Sequence, residues 1–459
     1  MLIPLISQAQ EARSRNYAAM RLVNVYPVSE QGGKQGTLLL GTPGLSLQKT
    51  IGSGPIRAII ELNGEVYLVS GGGLYRYSDS ALLGAVASSG TCWIESNGLE
   101  VMVLSNGYGY AYNIGTSTFA AISAAGFPAN AVSLAYMDGY FIVTVGQQFF
   151  ISALYNGTSW DALDFASAES SPDDLVVAIA DHGQLWLIGN SSAEAWYNSG
   201  NNAFPFERIG QTRIEKGAAA GKAVVKMDNS IYFIGNDGIV YRGGGGGIER
   251  VSTASVEYDL SQASDIYSCY GFSYQQEGSS FYCLSVPSRS TTWVFDARAG
   301  VWHERQSDLN TIQWRANCVC KYGNGWLAGD LSSGKVYKID HDYYSDDGEE
   351  IIRQMVAPVV FGEQARIIHD QLIVDTDPGR GLVSGQGSDP QIILDWSDDG
   401  GNTYGNQLQV TLGAIGAYKN RALFNRLGIS RGRNYRLTFS EPINFALTGL
   451  YVKVRLLPS

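Results

Sequence analysis

Charge is scarce in this chain of 459 residues: Asp, Glu, Lys and Arg make up only 16%, against about 25% in an average globular protein. Together with 55 glycines and 27 tyrosines, that balance suits a loop-rich, all-β protein with much surface committed to contacts. Metal chemistry has little to work with. The four histidines, His182, His303, His341 and His369, lie far apart, and none forms a ligand pair at i, i+3 or i, i+4. The five cysteines (Cys92, Cys269, Cys283, Cys318, Cys320) are scattered and odd in number. Cys318-Val319-Cys320 has one residue between its thiols, which is neither zinc nor redox spacing. They read as buried reduced thiols in a chain made in a reducing compartment. No apolar run reaches the ~18 residues of a membrane span, and Met1-Leu2-Ile3-Pro4-Leu5-Ile6 lacks the basic start and full apolar core of a secretory signal. The sequons Asn156-Gly157-Thr158 and Asn190-Ser191-Ser192 are therefore expected to be turns. No window keeps a helical period, apart from a stretch near Gln8 to Met20. Gly243 to Gly247 runs into Ile248-Glu249-Arg250 without the Lys-Ser/Thr of a phosphate loop, and no G-x-S-x-G elbow occurs. That glycine run is expected to be a flexible loop. Nothing demands an enzyme, a cofactor or a metal. Glycosidase-type carboxylate pairs stay open, because their separation is not legible in a sequence.

What the chain has in abundance is one repeated strand. It appears as Asn63-Gly64-Glu65-Val66-Tyr67-Leu68-Val69, as Asp138-Gly139-Tyr140-Phe141-Ile142-Val143, and as His182-Gly183-Gln184-Leu185-Trp186-Leu187-Ile188. With the small turn residue as marker (64, 98, 139, 183, 230, 278, 325), the steps are 34, 41, 44, 47, 48 and 47. A second strand follows each, such as Gly73-Leu74-Tyr75-Arg76-Tyr77 or Gly334-Lys335-Val336-Tyr337-Lys338. Asn-Gly and Asp-Gly pairs supply the positive φ angles of tight hairpins, and aromatic and β-branched residues pack well on a pleated surface. A lone hairpin is marginal in water, so the units must bury their faces on one another. A drifting period in the forties filled by strands is the mark of a β-propeller, here of six to seven blades with seven favoured.

The charge is unevenly spread. Residues 1–55 balance at +3, residues 56–350 at −16 and residues 351–459 at +2, within the net −11. An acidic repeat region repels nucleic acid and does not favour phosphate binding. Three parts follow: an N-terminal arm and docking segment (1–55), the propeller (56–345), and a C-terminal β-sandwich-like domain (346–459). Asp340 to Glu350 reads as a solvated linker; as a calcium loop it lacks ordered ligand spacing. Strands are expected over residues 367–374, 391–397, 407–412, 434–440 and 447–456.

Two constellations stand out in the last part. Ser397-Asp398-Asp399-Gly400-Gly401-Asn402-Thr403-Tyr404 fits an Asp box, in which Ser397, Asp399, Gly401, Thr403 and Tyr404 would build a structural hairpin. Lys419, Arg421, Arg426, Arg431, Arg433 and Arg436 form a basic cluster. They are either a docking surface for an acidic neighbour or charged strand edges that block aggregation. Arg421, Arg426, Arg431 and Arg433 are the residues expected at an assembly interface.

Arg21-Leu22-Val23-Asn24-Val25-Tyr26-Pro27 with Thr42-Pro43-Gly44-Leu45 resembles the opening of the packaged-DNA stabilisation proteins of short-tailed phages, the tail-nozzle subunits below the portal. The closing part resembles them more strongly: Leu394 to Tyr404, Gly416-Ala417-Tyr418-Lys419-Asn420-Arg421, Asn425-Arg426-Leu427-Gly428, Arg431-Gly432-Arg433 and Leu437-Thr438-Phe439-Ser440-Glu441-Pro442. At Phe424 relatives often have tryptophan. The resemblance implies a virion tail protein without catalysis, assembled in the host bacterial cytoplasm as a hexameric ring. That ring would dock under an adaptor ring, hold a needle or plug, contribute to anchoring tailspikes, and pass double-stranded DNA without sequence-specific binding. A carbohydrate-binding or sialidase-like propeller is the alternative, favoured by the aromatic wealth and the Asp box, and a bacterial protein-interaction propeller is a third.

Overall fold

The computed structural model describes residues 1–5, 10–11 (backbone only), 19–28, 36–168, 173–210, 213–244, 247–307, 313–363 and 365–457. Among them, seven four-stranded antiparallel blades follow one another: blade 1 (56–85), blade 2 (92–121), blade 3 (133–167), blade 4 (175–208), blade 5 (225–250), blade 6 (270–305) and blade 7. Blade 7 takes its three inner strands from Ala316–Tyr322, Gly325–Asp330 and Lys335–Asp340. Its outer strand, Gly44–Thr50, comes from the other end of the chain, with Leu45 opposite Ile339. That pairing closes the disc.

The recurring motif marks the turn from the first to the second strand of each blade. In blades 1, 3, 4, 5 and 6 both turn residues have positive φ, as in Asn63 (53°) and Gly64 (84°) or Asp138 (49°) and Gly139 (92°). Such turns match the twist of the strands they join. The second strands are buried on both faces, all six residues of Glu100–Ser105 and all five of Ser230–Ile234 among them. Seven apolar clusters then sit one between each pair of neighbouring blades. The cluster joining blade 7 back to blade 1 contains Leu327 and Val336 with Ile56 and Val66. This burial of hairpin faces is what turns marginal units into a cooperative ring.

The C-terminal domain is two packed sheets. One holds Val25–Val28, Leu38–Gly41, Ala446–Leu456, Ile367–Thr376 and Ala422–Asn425, with Leu2–Ile3 and Ile429–Ser430 attached. The other holds Ala19–Val23, Arg353–Val356, Gly432–Phe439, Gln391–Ser397 and Leu408–Thr411, and it continues directly from the outer strand of blade 6, Val301–Arg305. Leu22, Leu372, Leu437 and Val452 of the sandwich share one apolar cluster with Tyr232, Tyr282 and Trp302 of blades 5 and 6.

Three expectations change. Residues 1–55 supply strands to both domains, because their short apolar stretches pair with sheet edges that would otherwise stay open. The acidic run contains a small hairpin, Ser345–Asp346 with Glu349–Glu350, added to blade 7. Asp346 is 1% exposed there and accepts from the Ser307 hydroxyl at 2.9 Å, so the run is not simply a solvated linker. A helix, Ala254–Ser261, follows blade 5: the Thr253 hydroxyl accepts from the Val256 N–H, and Val256 and Leu260 are buried. Two apolar positions are too few to show a period. Of the Gln8 to Met20 stretch, Ala19 and Met20 begin a strand and residues 8–9 and 12–18 lie outside the described residues. Gly243 and Gly244 end the strand Val240–Gly244; the turn beyond them is likewise outside.

Candidate functional site

The Asp-box residues converge on one carboxylate. The hydroxyls of Ser397 and Thr403 each donate to Asp399 at 2.6 Å, and the N–H groups of Asn402 and Thr403 donate at 3.0 and 2.9 Å. These donors hold the Asp399 carboxyl well below the usual carboxylate range. The Ser397 Oγ accepts from the Gly401 N–H at 2.8 Å, and Gly401 takes a φ of 86° that favours glycine. The Ser397 and Thr403 hydroxyls and the Asp399 carboxylate are turned on one another and on the local backbone, so the motif closes a hairpin.

Arg433 departs from its expected role. It is 1% exposed, forks onto Asp398 at 2.6 and 2.8 Å, donates to the Leu427 carbonyl, and lies 4.9 Å from the Trp396 ring centroid. It belongs to the sandwich interior. The alternation of strand Gly432–Phe439 decides this: Arg433 and Tyr435 face inward, while Arg436 pairs with Asp395 and stacks 3.6 Å from the centroid of Tyr404. Beneath Arg433, His369 is fully enclosed and bonded through both ring nitrogens, to Ser430 at 2.8 Å and Tyr435 at 2.7 Å. Burial, helped by Arg433, lowers its pKa to about 4.

Arg421, Arg426 and Arg431 are exposed on the sandwich edge and have no ion-pair partner among the described residues. The structure brings Arg426 and Arg431 together at one end of the domain. The strand Ala422–Asn425 separates them from Arg421, which sits beside the exposed Tyr418 at the other end.

The opening motif lies at the joint between the two domains. Asn24, fully buried at a φ of 53°, donates to the carbonyls of Gln306 and Ile352 at 3.0 and 2.9 Å and accepts from the Gln306 N–H. Arg21 forks onto Glu304 of blade 6 at 2.6 and 2.7 Å. Arg305 donates to the Pro43 carbonyl at 2.7 Å and stacks 3.7 Å from the centroid of Trp314. Asn24, Arg305 and Asp346 were not legible as joint residues, because their partners lie more than 250 positions away or in turns without periodicity.

A cavity of about 490 Å³ lies at the inner strands, lined by Arg57, Trp93, Lys222, Tyr270 and Asn317 among others. The Lys222 ammonium donates to the Cys92 carbonyl at 2.8 Å and lies 4.4 Å from the Trp93 ring centroid, and burial lowers its pKa. Glu95, on the inner strand of blade 2, keeps partial solvent contact, yet burial raises its carboxyl to about 7. Among the described residues no group of three His, Cys, Asp or Glu is placed to hold a metal. All five cysteines carry free thiols, four of them buried.

The fold is an all-β disc of blades fused to a β-sandwich, held by structural hairpins and forked ion pairs. The family model described as "Bacteriophage P22 Gp10, beta-propeller" matches residues 1–344, and "Bacteriophage P22 Gp10, beta-sandwich" matches residues 352–455. The chain belongs to the phage P22 Gp10 family: it is a phage stabilisation protein, a structural component of the virion tail and not an enzyme. No curated protein matches it in sequence. Among solved structures it is similar to the computationally designed Ika8 protein (10% identity, 65% of this chain and 100% of that one, TM-score 0.40). It is likewise similar to the WD40 propeller domain of Doa1 (12% identity, 65% and 96%, TM-score 0.41). The extracellular domain of BT4673 from B. thetaiotaomicron gives 8% identity, 77% and 45% coverage and a TM-score of 0.43. Likenesses this distant carry no argument about function.

Proposed function

We propose that this chain is the tail-nozzle subunit: six copies form a ring that extends the portal and adaptor channel, helps retain packaged DNA, and gives it passage on ejection. The observation that carries the reading is the match of both domains to one phage stabilisation family. The geometry adds a constraint. The passage through the blades encloses about 490 Å³, far too little for a duplex whose major groove alone is about 12 Å wide. A DNA channel must therefore be built between subunits. The acidic balance of residues 56–350 suits its wall, because phosphate binding by counterion release needs Lys and Arg at the phosphates. The adaptor above, a needle or plug below, and tailspikes around the ring are the partners this reading calls for.

A phage lacking this gene should fill its heads and then lose the DNA, and particles completed with purified protein should keep it. Mutant heads that hold their genome as long as wild-type particles would defeat the proposal.

A further inference from the structure

Between Arg76 and Arg208 the chain contains no lysine or arginine and twelve aspartates and glutamates. That stretch makes up blades 2, 3 and 4, so one side of the disc is acidic throughout its own sequence. The sandwich is anchored to blade 6, and in a seven-blade circle blade 3 stands opposite blade 6, three steps one way and four the other. The molecule is thus electrically polar across its width.

Each pole carries exposed apolar side chains. On blade 3 the outer strand Asn156–Ser167 slips register between its pairs with Ser152 and Phe150, throwing out a knuckle of Asp161, Ala162, Leu163 and Asp164. Leu163 is 82% exposed at its tip, with its N–H bonded to Asp161 at 2.9 Å. Leu154 and Tyr155, in the turn leading into the same strand, are 54% and 52% exposed. At the far pole, one end of the sandwich presents Phe361, Ile429 and Leu456, also more than half exposed. Pairing of Phe361 with Gly432, Ile368 with Ile429 and Ile367 with Leu456 gathers them at that end. Arg366, Arg426 and Arg431 lie there exposed and without an ion pair among the described residues, while the neighbouring carboxylates of Asp370 and Asp398 are already forked by Arg455 and Arg433 and only Glu363 adds a further exposed one.

We infer that these two patches are the two halves of one contact: the basic-apolar end of the sandwich of one copy seats on the acidic-apolar knuckle of blade 3 of the next. The inference rests on the ring reading above and names the surfaces that make it. Two different patches at opposite poles give a head-to-tail contact, which closes into a ring when the rotation between copies permits. Apolar side chains supply the contact area, and the opposed charges set partner and register. A bulge alone would serve to block edge pairing, but burying aspartates or a lysine there would do that without a leucine at the tip.

The test uses full-length protein, purified at high concentration and in assembled tails. A variant carrying both Leu163→Cys and Ile429→Cys should give a covalent ladder of multimers on mild oxidation, while either single variant should not. Asp161→Lys with Asp164→Lys should weaken association at least about tenfold, and adding Arg426→Glu and Arg431→Glu should restore it. All four charge positions contact solvent, so an unchanged melting temperature will show that the fold survives. Rings seen by electron microscopy without a ladder, and undiminished by the lysine pair, would overturn this inference and leave the nozzle reading standing. A chain that stays monomeric in solution and in tails would overturn both.

Discussion

His303 is fully buried between Tyr26 and Phe281, with neither ring nitrogen bonded to any described residue. Burial, reinforced by Arg305, lowers its pKa to about 3, so it stays neutral in the folded protein. Its folded value lies below the unfolded value of 6.5, and so does that of His369. Each therefore contributes stability that is complete above pH 6.5 and declines as the pH falls toward the folded value. Asp346 has the opposite sign: burial raises it to about 6, so its contribution is complete below pH 3.8 and is lost as pH rises through 6. Glu95, raised to about 7, shares that sign, so between about pH 6 and 4.5 two histidines oppose two carboxylates and stability should change little with pH. His303→Phe should unbalance them, so that stability rises by about 1.4 kcal/mol per pH unit as the pH falls from about 6 to 4.5, and should raise stability at pH 7 by about 1 kcal/mol, because two unbonded polar atoms are replaced by a ring of similar shape. Urea titrations from pH 4 to 7 measure both. A variant whose stability varies with pH no more than the wild type's would show that other groups govern it. Arg433 gives a second contrast. Asp398→Ala strands a buried cation and should cost about 3 kcal/mol. Arg433→Met leaves Asp398 free to rehydrate, since it is 44% exposed, and should cost less.

Among the elements, the strand Gly44–Thr50 holds the disc shut. Leu45→Ala, at a fully buried position, should cost about 2–4 kcal/mol; Leu47→Ala, at 46% exposure in the same strand, should cost little. Equal losses on denaturation would mean that closure does not depend on the burial of this strand. Elements differ in how plainly they show in the sequence. The second strands are buried on both faces and read as unbroken apolar runs, which is why Glu65–Ser70 and Gln184–Gly189 stand out. Outer strands such as Leu82–Ala85 and Gly247–Arg250 are short and largely solvent-facing, and leave no pattern. Gly44–Thr50 was hidden for another reason: nothing local tells a strand that its partner is almost three hundred residues away. The Asp-box hairpin was legible because all its bonds are local. Arg433 was misplaced because arginine in a basic run looks like surface until the alternation of its strand is known.

At the scale of the whole molecule the two domains share one core. A chain ending after Glu350 would uncover Trp302, Tyr282 and Leu22, which pack in the same cluster as Leu437 and Val452. Such a truncated protein should aggregate, as light scattering would report; a soluble, cooperatively melting product would show that the propeller stands alone. The propeller class was legible from the turn period, and the acidic balance from counting charges. The joint was not, since it depends on Asn24, Arg305 and Asp346 bonding to residues of other segments.

The pairing of Leu45 with Ile339 spans 294 residues, and that separation sets an order of events in the host cell. At about 5–20 residues per second of ribosomal synthesis, strand 44–50 waits roughly 15–60 seconds for its partner to emerge. Throughout that interval the nascent disc is an open crescent with a bare edge, exposed to chaperones and proteases. A chain cut short before its last blade lacks the strand that Gly44–Thr50 pairs with and cannot close the disc.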